Sequence, residues 1–129
     1  LHGSLFDFRC TDCDEPYTAE IALPHEPVPT ITPPTCPTCS GLIRPGVVWF
    51  GEALPEAEWH EAERRMRTAD ALLIVGTSGV VYPAAGLPLM AHAREIPIIE
   101  VTPMRTDLSH LATVVVEDTA ANALPKLLG

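Results

Sequence analysis

Cys10, Cys13, Cys36 and Cys39 are the four cysteines of this chain, and they form two C-x-x-C pairs with 22 residues between them. Two residues between thiols let both sulfurs of a tight turn face one point, and two such knuckles can close a tetrahedron around Zn²⁺. A shell of four thiolates leaves no open position for a substrate, so a metal held this way is structural. Two disulfides, or a thioredoxin-like redox pair, are the alternatives that the same residues allow. Disulfides need an oxidising compartment, and no basic-then-apolar leader is read that would point to one. A redox C-x-x-C is a single motif at a helix start after a strand. Both pairs here lie in turn-like surroundings, Arg9–Asp14 and Pro34–Gly41. One structural Zn²⁺ per chain is the expected occupant.

The elements that must position those sulfurs are poor in apolar residues. Seven of the fourteen prolines fall in residues 16–37. Proline fixes φ and removes a donor, so Pro24–Pro34 is expected to be an extended, irregular loop. Short strands at Tyr17–Leu23 and Gly41–Ile43 would complete a zinc ribbon over residues 1–45, with the metal supplying much of its stability.

From residue 46 onward the pattern changes. Pro55 stands at a first-turn position, with Glu56, Glu58, Glu61 and Glu63 before Arg64, Arg65 and Arg67. Acids early and bases late suit a helix dipole, and Trp59, Ala62, Met66 and Ala69 recur on one face. The acidic run therefore reads as a solvated helix face. Ala71–Val75 and Ile98–Val101 are short apolar runs flanking a helix-like stretch, Pro83–Arg94, whose inner face would be Leu87, Met90 and Ala91. Strand, helix, strand in that space is a βαβ crossover and implies parallel strands. Thr113–Glu117 reads as a third strand and Ala120–Leu128 as a closing helix. Such continuous apolar strands fit a sheet covered on both faces. The expected fold class is α/β: a partial Rossmann-like parallel sheet over residues 46–129, with a small four-cysteine zinc-ribbon module. In open α/β sheets ligands bind beyond the carboxyl ends of strands. Gly76-Thr77-Ser78-Gly79 holds that position after the first strand, as a nucleotide-binding turn or as a plain glycine-rich turn.

Some function classes are disfavoured. At 129 residues the chain is one domain's worth, and its formal net charge of −9 is the wrong sign for neutralising phosphates, so no direct nucleic-acid partner is expected. No run of ~18 uninterrupted apolar residues suggests a membrane span. A histidine at position 2 reads by itself as a frayed terminal residue, and His25, His60, His92 and His110 match no motif.

Four segments in order carry a resemblance: Leu1-His2-Gly3; the two cysteine pairs; Arg44-Pro45-Gly46-Val47-Val48-Trp49-Phe50-Gly51-Glu52; and Gly76-Thr77-Ser78-Gly79-Val80-Val81-Tyr82-Pro83-Ala84-Ala85. Together they closely resemble the sirtuins, the NAD-dependent protein lysine deacylases, in a bacterial-type member. The similarity runs through the whole chain and corresponds to the C-terminal part of the family's catalytic core. The chain is accordingly expected to be a fragment without the family's N-terminal NAD-binding motifs, inactive alone and unable to bind NAD tightly.

The resemblance implies roles residue by residue. His2 matches the catalytic histidine. In that mechanism the substrate's acyl oxygen attacks the nicotinamide ribose, nicotinamide leaves, and the histidine acts as general base on a ribose hydroxyl, giving free lysine and O-acyl-ADP-ribose. Imidazole suits this work because it takes and returns a proton near neutral pH. Val48, Phe50, Gly51 and Glu52 match the strand that pairs with an acylated-lysine peptide, and Val81 and Tyr82 match its partner on the other side. An extended peptide held by main-chain bonds gives low sequence selectivity. By itself Val47–Phe50 reads as a hydrophobic core strand. Gly76, Thr77 and Ser78 match the family's NAD-contacting turn. Thr102, Pro103 and Met104 stand where sirtuins usually carry an asparagine-centred turn at the adenosine ribose, and Ala120 falls near the expected adenine. The cofactors implied are Zn²⁺, as the cysteine spacing already suggests, and NAD; reducing thiol chemistry, with no leader read, favours the cytoplasm. The competing reading is a non-catalytic zinc-ribbon interaction module. Transfer of ADP-ribose to another nucleophile is a third.

Overall fold

A computed structural model describes all residues, 1–129. Contacts divide them into two compact units, Leu1–Pro55 and Glu56–Gly129.

The first unit is built on a long strand that the sequence pattern did not announce. β1 (Gly3–Cys10) lies between β2 (Pro16–Tyr17) and β3 (Ile43–Val47), all antiparallel. The β1–β3 register jumps between Ser4 and Phe8, whose partners are the adjacent residues Gly46 and Pro45. Leu5, Phe6 and Asp7 therefore bulge out, and Phe6 is 90% exposed. Pro45, which has no N–H to give a ladder, sits at the edge of that irregularity, where a strand tolerates it. The core of this unit is small: Cys10, Cys36 and Ile43, with Phe8, Tyr17 and Ile21 against them.

Two expected strands are corrected here. The strand expected at Tyr17–Leu23 ends at Tyr17, because β1 offers it partners only at Phe8 and Arg9 and Leu23 finds no apolar cover. Gly41–Ile43 contributes an isolated bridge, Thr35 to Leu42, before β3 begins at Ile43. Residues 46–55, grouped by sequence with the second part, fall in the first unit.

The second unit follows its hydrophobic pattern closely. α1 (Glu56–Thr68), β4 (Leu72–Val75), a 3₁₀ turn (Ala84–Gly86), α2 (Leu87–Ala93), β5 (Ile98–Thr102), β6 (Val114–Glu117) and α3 (Ala120–Leu128) succeed one another. The sheet is β4-β5-β6, parallel throughout. Pro88 occupies the first turn of α2, where its missing N–H costs nothing, so the α-helix starts at Leu87 rather than at Pro83. Pro88 and Ala91 are buried, with Leu87 and Met90 half-buried beside them. Ile74, Ala91, Ile98, Leu108 and Leu111 form the core. The central strand β5 is covered on both faces, whereas Leu73 of β4 and Val114 of β6 are exposed. On α1, Trp59, Ala62, Met66 and Ala69 are half-buried, and Glu61 binds both Arg64 and Arg65 on the wet side. Arg94 donates to the carbonyls of Met66 (2.7 Å) and Ala69 (2.8 Å), closing the end of α1.

Glu100 is the polar exception, a carboxyl side chain 1% exposed in the middle of β5. The hydroxyls of Thr106 and Ser109 both donate to it, and Ser109 also accepts from the Thr106 N–H at 2.8 Å. Together they tie the connection after β5 back onto the strand. Ser109→Ala removes one donor from a buried acceptor and is expected to cost about 1–3 kcal/mol. A drop in the urea midpoint at unchanged m-value would show it.

Candidate functional site

The four thiols converge. Their sulfurs all lie within 4.8 Å of one another, with Cys10 and Cys39 3.4 Å apart and Cys13 and Cys36 3.7 Å apart. Disulfide sulfurs would stand about 2.05 Å apart, so neither pair is bonded. A Zn–S distance of about 2.3 Å in a tetrahedron places sulfurs about 3.8 Å apart, close to what these residues present. The turns add N–H donors: Asp12 N–H points at Cys10 Sγ and Gly41 N–H at Cys39 Sγ, each at 3.4 Å. Such amides favour thiolates. The Cys36 thiol is drawn down to about 6 by the amides of Cys39 and Thr38. The Glu15 amide pulls in the same direction on Cys13, but its sulfur neighbour Cys39 and burial outweigh it and push that thiol up to about 12. Neighbouring thiolates oppose one another's ionisation, and a divalent cation is the group that reconciles all four. The residues fit Zn²⁺.

Beside the knuckles, the end of β3 bends back. Val48 N–H donates to the His2 carbonyl at 3.0 Å, so the chain at His2 and the chain at Val48 run alongside each other. Val47–Phe50 was read as one strand, but β3 stops at Val47. The reason is a turn: Glu52 N–H donates to the Trp49 carbonyl (3.0 Å), with Phe50 and Gly51 at the corner. Gly51 has φ +88°, the left-handed conformation that the third residue of a type II turn requires. Phe50 is left 95% exposed, and the imidazole of His2 is exposed as well. Glu52 faces inward across the bend. Its carboxylate receives both terminal nitrogens of Arg44 and the Trp49 N–H (2.9 Å). The Arg44 guanidinium, followed by that amide, holds the Glu52 carboxyl well below the usual 4.5, at about 2.

In the second unit the residues read as cofactor-binding gather at one edge. In the parallel register Val75 pairs with Val101 and Thr102 with Glu117. The turns leaving β4 at Gly76, β5 at Thr102 and β6 before Ala120 therefore emerge side by side, at the carboxyl end of the sheet. Gly76 N–H donates to the Val101 carbonyl at 3.1 Å. Gly79 has φ +72°, and a Cβ there would collide with Leu108, so glycine is required on both counts. Thr77, Ser78, Val81 and Tyr82 are exposed. Thr102 is buried, and its hydroxyl donates to the Met104 carbonyl at 2.6 Å, closing its own turn while Met104 stands 78% exposed. Ala120 opens α3 behind Asp118, which accepts from Asn122 and from the Thr119 N–H and whose carboxyl is lowered by both.

The sequence model of the Sir2 family matches residues 1–83. The chain belongs to the Sir2 family. It is 59% identical over 128 residues to NAD-dependent protein deacylase 2 of Corynebacterium efficiens, covering 99% of this chain and 50% of that protein. It is 56% identical to the NAD-dependent protein deacylase Sir2 of Mycolicibacterium smegmatis, of which it covers 53%. Among solved structures, a Sir2 homologue–NAD complex superposes with a TM-score of 0.87 at 41% identity, over 99% of this chain and 48% of that one. A Sir2Tm complex with a propionylated peptide gives 0.81 at 27% identity, over 99% and 53%. The chain spans about half the length of the curated relatives it matches.

Within this sirtuin chain, then, the four cysteines meet, and His2 lies along the Val48–Glu52 segment. Gly76–Ser78, Thr102–Met104 and Ala120 share one sheet edge. Sequence reasoning missed Arg44, Glu100 and Asp118. A lone acid inside the apolar run Ile98–Val101, with hydroxyl residues shortly after, was the available signal for Glu100. Metal analysis should return one zinc per chain, and Cys36→Ala should lose it together with the amide protection of β1 and β3. Unchanged metal and protection in that variant would refute the four-thiolate site. With its carboxyl lowered, Glu52 contributes stability that is complete above about 4.5 and lost as pH falls towards about 2. A carboxyl NMR titration should find that low midpoint, and Arg44→Gln should raise it towards 4.5.

Proposed function

We propose that this chain is part of an NAD-dependent protein lysine deacylase. The reading is carried by its likeness to proteins named for that activity, at 59% and 56% identity over nearly all of its residues. The arrangement of its own groups supports it. NAD, when bound, supplies a ribose carbon made electrophilic by nicotinamide as leaving group. Gly76, Thr77 and Ser78, the turn Thr102–Met104 and the amide at Ala120 would hold its ribose and adenine side. Backbone N–H groups at a glycine turn are well suited to this, because a missing side chain permits close approach. Thr102 commits its hydroxyl within its own turn, so this turn offers main chain rather than a side-chain amide.

The imidazole of His2, exposed to solvent, takes and returns the proton of a hydroxyl in the reaction. The Val48 carbonyl holds the lysine Nε–H, and the backbone of Val48–Glu52 pairs with an extended peptide. Val81 and Tyr82 are peptide-binding residues in the same reading. Zn²⁺ on the four cysteines would keep β1 and β3 in place beneath that segment. Thiol ligands and a peptide substrate suit a reducing compartment, the cytoplasm. No helix is long and apolar enough to cross a membrane.

The test is a chimera in which these residues replace the matching segment of the Corynebacterium efficiens protein. It should release nicotinamide in an acyl-lysine-dependent manner, and His2→Ala should lower the rate by about 10²–10⁴-fold with zinc retained. The 129-residue chain alone should neither turn over nor bind NAD tightly in calorimetry. A zinc-loaded, folded chimera without turnover would favour the non-catalytic module.

A further inference from the structure

We propose that Arg44 is the positioning residue of the peptide-binding segment: its guanidinium holds residues 47–52 in the bend that leaves their main chain available to a substrate. This rests on the peptide reading of Val48–Glu52 given above.

One planar group touches three places along the bend, Val47, Trp49 and Glu52. Its terminal nitrogens grip both oxygens of Glu52, and one of them also donates to the Val47 carbonyl at 2.8 Å. Its central carbon, Cζ, lies over the Trp49 ring, 3.8 Å from the centroid. Glu52, so held, accepts the Trp49 N–H at 2.9 Å, and the Glu52 N–H returns to the Trp49 carbonyl. Arg44 thus joins Val47 to Glu52 across the bend, adding to the bonds that Trp49 and Glu52 exchange directly. None of these bonds uses the Val48 carbonyl. Val48 spends its N–H on the His2 carbonyl, so whatever fixes this bend also fixes the main chain leading to the imidazole.

A purely structural role is a poor fit. The Arg44 side chain is 12% exposed and its Nε is buried with no partner. Such an unpaired donor costs stability that an apolar side chain of similar length would not. The guanidinium is distinguished by what it can do at once: fork onto a carboxylate, reach a carbonyl and stack on an indole. Lysine, a point charge without the planar fork, can pair with Glu52 but cannot do all three.

The experiment uses the zinc-loaded 129-residue chain, labelled with ¹⁵N and titrated with an acetyl-lysine peptide. In the parent protein the peptide should shift the amides of residues 48–52 and the Trp49 indole. In Arg44→Lys and Arg44→Gln the dissociation constant should rise by at least about 5-fold, the loss of a charge-assisted contact. Zinc content and the amide protection of β1 should stay as in the parent, which separates positioning from folding. If the parent binds and both variants bind equally well, the proposal is overturned while the peptide reading stands. If the parent itself shows no shifts at residues 48–52, the peptide reading fails and takes the proposal with it. A variant that loses zinc along with affinity would also overturn it, by making Arg44 structural.

Discussion

Four sulfurs meeting at one point are the constraint on which the first unit depends. Its buried apolar side chains are few, and two of the three at the centre of its core are themselves cysteines of the four-sulfur cluster, Cys10 and Cys36. A sheet of one eight-residue strand, one five-residue strand and a two-residue strand cannot bury enough surface to hold itself. The convergence of the knuckles joins the end of β1 to the start of β3, and every later feature of this unit hangs from that junction. The bend at Trp49–Glu52 and the pairing of Val48 with His2 are its distal end.

The second unit is organised by a different rule. Its three strands run parallel and in chain order, so all three connections that follow them leave from one edge. A parallel sheet gathers residues by topology alone: Gly76, Thr102 and Ala120, distant in sequence, are brought to one edge by register without any side chain having to reach. The side-chain bonds that do exist there serve the loops. Glu100 accepts from Thr106 and Ser109, Thr102 donates to the Met104 carbonyl, and Asp118 accepts from Asn122 and the Thr119 N–H.

Where hydrophobic periodicity governs, the fold was legible. β4, β5, β6 and α3 lie within a residue or so of their apolar runs, and the half-buried stripe of α1 is the predicted one. The cysteine spacing announced its own geometry for the same reason, since two residues between thiols permit little else. Legibility failed where pairing rather than pattern decides. β1 mixes Leu5 and Phe6, both exposed, with half-buried Phe8, so no alternation marks it as a strand. Tyr17–Leu23 has strand-like composition but almost no partner to pair with. In the candidate site, ordered motifs pointed to His2, Val48–Glu52 and the Gly76 turn, while Arg44, quoted within one of those motifs, was given no role because its importance lies in which atoms it touches. Likewise, nothing in the string Thr102-Pro103-Met104 says that the hydroxyl closes inward.

The separation of β1 from β3 has a kinetic side. More than thirty residues, proline-rich and without regular structure after Tyr17, intervene between the two strands. Bringing such distant segments together costs loop-closure entropy that the strand pairing must repay. An ion held by all four sulfurs, which lie within 4.8 Å of one another, would divide that search into two short ones. A chain offered such an ion would then join β1 to β3 sooner than one left without it, at no change in the final pairing.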